Sequence, residues 1–174
     1  MKHLVVFLLI LAAATAVAQM PMPKPGPELK KLDYFIGNWK SDGEMKPGPF
    51  GPGGKMAMTE KVSWMDGNFF AVINSNYDAG TMGKGTGVAY MGYNTEDKVY
   101  TYDEYNSQGE AEHSKGTVEG DTWTWTSDDK MNGMAFKSRF TMKILSPTAY
   151  TFKFEMSQDG TTWNTMMEGK AVKQ

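Results

Sequence analysis

No cysteine occurs among the 174 residues, so no disulfide can staple the fold and no lipobox cysteine is present to carry a lipid anchor. Arginine is almost absent too: Arg139 is the only one, and the formal net charge is −2. With no basic block for a phosphate backbone, no nucleic-acid partner is expected. Histidine is limited to His3 and His113, and no Gly-x-Ser-x-Gly elbow occurs, so a hydrolytic triad lacks its parts. The chain also has little continuous hydrophobicity. Leu4 to Ala14 is its one long apolar run, too short to span a bilayer comfortably, and no second run follows.

That run belongs to a three-part leader. Lys2 and His3 precede it, and Ala16-Val17-Ala18 supplies small residues before a cleavage point at Gln19. Residues 1–18 therefore read as a signal peptide, and the expected location is exported, periplasmic or secreted in a bacterium. Removing them from the 174 leaves 156 residues and shifts the charge from −2 to −3, because Lys2 is lost. No stable membrane anchor is expected on what remains, which has the size of one domain with its own core. Residues 19–27 carry four of the eight prolines and read as an extended tether. Residues 28–174 are expected to form a single domain.

Glu28 to Phe35 is the one helix candidate, with Leu29, Leu32 and Phe35 spaced by three; it is long enough to lie across one end of a sheet structure. From Ile36 onward the pattern is strand and turn. Tyr150, Phe152, Phe154 and Met156 alternate with Thr151, Lys153 and Glu155. Phe136, Ser138, Phe140, Met142 and Ile144 alternate with Lys137, Arg139, Thr141 and Lys143. Trp123 and Trp125 alternate with threonines, and Met56, Met58, Val62 and Trp64 share a parity broken only by Glu60. A period of two with one apolar face marks antiparallel sheet wetted on one side. Asp66-Gly67, Gln108-Gly109, Glu119-Gly120-Asp121, Ser146-Pro147 and Asp159-Gly160 punctuate the runs as turns.

About ten strands result: 37–46, 55–65, 68–78, 85–94, 99–106, 110–118, 121–127, 135–145, 149–157 and 162–173. Ten hairpin-linked strands leave exposed edges unless the sheet closes. The expected fold is therefore all-β, a closed up-and-down antiparallel barrel with a short N-terminal helix; a Greek-key sandwich is the competitor. The first and third connections, Pro47–Gly54 and Ala79–Lys84, are glycine-rich and would share one end of such a barrel. They read either as a lid over an interior pocket, with Phe50 near the mouth, or as slack linkers.

Gly37-Asn38-Trp39, opening the first strand after a short helix, resembles the Gly-x-Trp signature of lipocalins and fatty-acid-binding proteins. The wider pattern resembles domain of unknown function 1579, a bacterial family grouped with the lipocalin-like (calycin) folds. It is carried by Phe35-Ile36-Gly37-Asn38-Trp39, Gly85-x-Gly87 leading to Gly92-Tyr93-Asn94, Lys98-x-Tyr100, Asn106-Ser107-x-Gly109, Gly116 and Met166-Met167-Glu168. The resemblance spans about residues 28–172, supports the barrel and implies no activity. It also implies that Trp39 plugs the closed end. Lipocalins lay an arginine across that tryptophan; Arg139 is the only candidate, yet its parity, shared with Lys137 and Lys143, points outward.

Chemistry-bearing groups are few. Asp103 and Glu104 are neighbours in a strand and point to opposite faces, and Asp128-Asp129 reads as a solvated turn. Asp103 faces inward only if Val99, Thr101 and Tyr105 do; otherwise the Tyr100/Tyr102 face is internal. His113, beside Lys115 and Thr117 in parity, reads as outward, and the alternative of haem ligation lacks a histidine near the C-terminal strand, where nitrobindins of this fold place theirs. Fifteen methionines, among them Met20-x-Met22, Met56-x-Met58, Met131-x-x-Met134 and Met166-Met167, suit either Cu(I) or an adaptable apolar lining. The lining is the reading taken.

The expectation is thus an exported barrel that binds a small apolar or amphipathic ligand without catalysis. The alternatives are an enzyme or haem/redox protein using the cavity, and a filled barrel acting through protein contacts. The candidate ligand-binding residues are Trp39, Phe140, Met142, Phe152, Phe154 and Met156. No catalytic residue, metal ligand or cofactor is assigned.

Overall fold

Alternation along the chain becomes ten strands in the computed structural model, which describes residues 23–48, 51–80, 83–131 and 133–174. They are β1 (Gly37–Met45), β2 (Gly54–Trp64), β3 (Ala71–Asp78), β4 (Lys84–Asn94), β5 (Val99–Asn106), β6 (Ala111–Glu119), β7 (Thr122–Met131), β8 (Met134–Ser146), β9 (Ala149–Ser157) and β10 (Asn164–Lys173). Each pairs antiparallel with its neighbours in sequence, and β1 pairs with β10 from Trp39↔Lys173 to Met45↔Met167. The sheet is therefore a closed up-and-down barrel, and no strand edge is left to recruit another chain. The sandwich alternative is excluded by that closure. The signal peptide and Phe50 lie outside the described residues.

Three features depart from the sequence reading. The helix, Pro27–Phe35, is a 3-10 helix, whose three residues per turn place Leu29, Leu32 and Phe35 in one buried row. Strand β3 starts at Ala71 instead of residue 68, because the turn is wider: Asn68 takes a positive φ of 57°, and Met65 N–H closes the loop by donating to Phe70 O. Strand β7 runs on through Asp128 and Asp129, so the pair lies in a strand and not a turn, although Asp128 is solvated as expected. Asp128 faces out to Lys137 Nζ at 2.6 Å, while the Asp129 carboxylate accepts from Ser127 Oγ, also at 2.6 Å.

The helix closes one end of the barrel. Tyr34 Oη donates to Ser146 O and Ala149 O, Tyr100 Oη to Glu28 O, and Trp64 Nε1 to Asp33 Oδ1. Beneath it Trp39 is 2% exposed and donates its indole N–H to Phe35 O at 2.7 Å. Phe35, Trp123 and Tyr150 pack around it with ring centroids 4.7–6.2 Å apart from one another or from their neighbours Tyr100 and Trp39. This is the core, and it sits at the closed end. Strand glycines let the large rings in. A Cβ at Gly116 would lie 2.5 Å from the Trp125 ring, and one at Gly169 would lie 2.4 Å from that of Phe152.

The cation laid over Trp39 is not Arg139 but Lys173 from the last strand, with Nζ 5.2 Å from the ring centroid and donating to Tyr34 O. Arg139 points outward, as its parity requires. Its guanidinium donates to Glu155 at 2.8 and 2.9 Å and lies 4.1 Å over the Trp163 ring. Burial alone would raise the Glu155 pKa, but the bonds from Lys153 and Arg139 hold it below the usual carboxylate range.

Candidate functional site: an amphipathic cavity inside the barrel

Above the aromatic core the barrel is hollow. A cavity of about 340 Å³ extends from Phe35 and Trp39 at the closed end to Met45 and Ala79 near the open one. The connections β1–β2 and β3–β4 both lie at that open end. The described parts of these loops are tied by backbone bonds, Gly48 with Gly51 and Ala79 with Gly83.

The wall has two chemically distinct halves. On one side, β2 and β8–β10 present Met56, Met58, Phe140, Met142, Phe152, Phe154 and Met167. Of the residues singled out from the sequence, Trp39, Phe140, Met142, Phe152 and Phe154 line this cavity. Met156 shares their parity but does not line it. It sits one pleat nearer the open end, opposite Asn164, and faces a separate cleft with Phe136, Asp159 and Met166. A bulge between Thr165 and Met167 turns Met166 toward that cleft and Met167 into the cavity.

The other half of the wall sets polar groups among Val62, Ile73, Met91 and Trp125. Glu60 on β2 is paired across the sheet with Ser75 on β3, and Ser75 with Gly87 on β4. A Cβ at Gly87 would lie 2.7 Å from Ser75 Oγ and 2.9 Å from Glu104 Oε1, so the glycine leaves the space in which these groups sit. Glu104 on β5 is directly opposite Glu112 on β6. Like charges directly opposite on one face destabilise a sheet. Tyr102 Oη donates to Glu104 Oε2 at 2.5 Å, and Ser114 Oγ to Glu112 Oε1 at 2.5 Å. Glu60, Ser75, Tyr77, Tyr102, Glu104 and Glu112 all line the cavity.

Protonation follows from this crowding. Glu60 touches the lumen, but the barrel wall shields it from bulk water. Burial, and secondly the Glu104 charge, push its pKa from 4.5 to about 7. Burial also raises Glu104 and Glu112, against the opposing bonds from Tyr102 and Ser114. Tyr102 is pushed well above its ordinary value by burial and by the Glu104 charge. Tyr77 Oη, lining the same cavity, is buried without a hydrogen-bond partner, and the buried Ser41 Oγ has only the Tyr150 hydroxyl beside it.

The sequence reading missed these carboxyls, although Glu60 carried a signal: it interrupts the inward parity of Met56, Met58 and Val62. On β5 the Tyr100/Tyr102 face proves internal, which turns Glu104 in and Asp103 out. Asp103 lies 2.7 Å from His113 Nδ1 on the outer surface, where the His113 side chain is 64% exposed. Neither belongs to the cavity. Met56, Met58 and Met167 line the cavity and Met166 the separate cleft, and among the described residues no three His, Cys, Asp or Glu side chains are grouped to hold a metal ion.

Fold and cavity define a lipocalin-like barrel with an amphipathic interior. The chain belongs to the DUF1579 family, proteins of unknown function, whose family model matches residues 24–173. No curated protein matches the sequence. Among solved structures, the crystal structure of Rv2717c from M. tuberculosis is similar, with a TM-score of 0.58, 13% identity, and coverage of 87% of this chain and 99% of that one. At that identity the likeness speaks for the fold alone.

Proposed function

We propose that the protein is an exported carrier that takes a small apolar or amphipathic molecule into the barrel without transforming it. The observation that carries this reading is the cavity of about 340 Å³, within the roughly 300–1,000 Å³ usual for small-molecule sites. Its lining of methionine and aromatic rings suits an apolar body of variable shape. The leader at residues 1–18 supports export. A second reading, catalysis, is favoured by Glu60, whose pKa near 7 is what a general acid or base needs. The two differ in the fate of the ligand, which a carrier returns with its covalent structure unchanged.

The test is titration with an environment-sensitive apolar dye. Stoichiometric binding to the folded protein is expected, and Phe154→Arg should abolish it by placing a long cationic side chain in the lumen. Lys153→Arg, on the outer face, should leave it intact. A folded protein that takes up no apolar probe would overturn the carrier reading.

A further inference from the structure

The charge of the cavity is one-sided. Glu60, Glu104 and Glu112 line it, and among the described residues no lysine, arginine or histidine does. The nearby cation at the closed end, Lys173, is engaged with Trp39 and Tyr34 O. An acidic row inside a barrel could be structural if each carboxyl were paired internally, but Glu104 and Glu112 face each other, and their protein donors are single hydroxyls. The row also adjoins polar capacity that nothing in the protein uses. Tyr77 Oη lines the cavity, buried and without a hydrogen-bond partner, and the buried Ser41 Oγ, 1% exposed, has only the Tyr150 hydroxyl beside it. A buried polar atom left unpaired is destabilising, so a ligand that satisfies it gains by doing so.

We propose that the ligand is a cationic amphiphile: an organic amine or ammonium on a compact apolar body, its charged head against Glu60 and Glu104 and its body against Met58, Phe152 and Phe154. This rests on the carrier reading and specifies its cargo. The carboxyls supply Coulombic attraction and acceptors for N–H donors; Ser41 and Tyr77 supply hydroxyls that accept from the same head or donate to a neighbouring polar atom. A fatty acid, by contrast, would bring its own carboxylate into a lumen that already holds three carboxyl groups. Among the described residues the carboxyls are not grouped to hold a metal ion, which leaves an organic cation as the partner of the acidic row.

The direction of pH dependence follows. Glu60 faces Ser75 from β3 and feels Glu104 and Tyr102 from β5 and Tyr150 from β9, all neutral or anionic. As pH falls through about 7 it takes up a proton, so the cavity loses negative charge and hold on a cation.

The experiment compares three probes with one alkyl chain, decylamine, decanol and decanoate, competing for the dye on wild-type protein at about pH 8. The ammonium is expected to bind about tenfold or more tighter than either other probe, since one paired charge readily supplies that factor. Its affinity should fall toward pH 5, and Glu60→Gln with Glu104→Gln should erase the preference for the ammonium over decanol. Decanoate or decanol binding as tightly as decylamine would overturn the inference and leave the carrier reading standing. Failure of the dye and all three probes would instead remove the carrier reading itself. Because the wild-type comparison decides alone, a variant that fails to fold costs the test nothing.

Discussion

Glu60→Gln should make the protein more stable at neutral and alkaline pH, contrary to the usual fate of substitutions inside a barrel. In the unfolded chain this carboxyl titrates near 4.5, and in the folded barrel near 7. Below about 4.5 both states hold the proton, and the group contributes no difference. Between the two values the native state keeps a proton that the unfolded state has released. Above about 7 the native state must give it up into a lumen already made negative by Glu104. The stability present at low pH is therefore lost as pH rises through the folded value. At about 1.4 kcal/mol for each pH unit, the full loss is on the order of 3 kcal/mol. Glutamine has the same shape and no charge, so the variant should escape it. Urea unfolding followed by tryptophan fluorescence, at about pH 4 and pH 8, reads the difference directly. Wild type and variant should agree in acid and diverge by on the order of 3 kcal/mol at the higher pH. Parallel pH profiles would show that Glu60 is solvated in the folded state, and the account of a shielded acidic wall would fall.

Trp39→Ala should cost about 3–5 kcal/mol, the range for deleting a large buried aromatic. It removes the indole bond to Phe35 O and the ring beneath Lys173; an unmoved urea midpoint would show that the closed end is not organised around this residue. N-terminal sequencing of the protein recovered from its native host should begin at Gln19, with the protein remaining soluble. Retention of Met1, or persistence with membranes after a salt wash, would refute export by cleavage.

Strand positions were legible because alternation is local: one face of Phe140, Met142, Phe152 and Phe154 must be dry, and turn residues mark where each run stops. Ten such runs in sequence also demanded closure, since an open sheet of that length leaves its edges unpaired. The 3-10 geometry of Pro27–Phe35 was visible as a spacing of three but reads equally as α-helix, because two turns do not separate the periods. On β5 both faces mix polar and apolar residues, so parity could not say whether Tyr102 and Glu104 or Asp103 point inward. The neighbours decided it, through Met91 and Ala89 on one side and Ser114 on the other. Lys173 over Trp39 depends on β10 returning to pair with β1, a contact between the two ends of the domain. The acidic wall depends most on tertiary structure. Glu60, Glu104 and Glu112 are far apart in sequence or separated by a hairpin, and only the register across β2–β6 brings them onto one side of the same cavity. Local sequence determines which way each side chain faces along its own strand; what it faces is decided by the closure of the barrel.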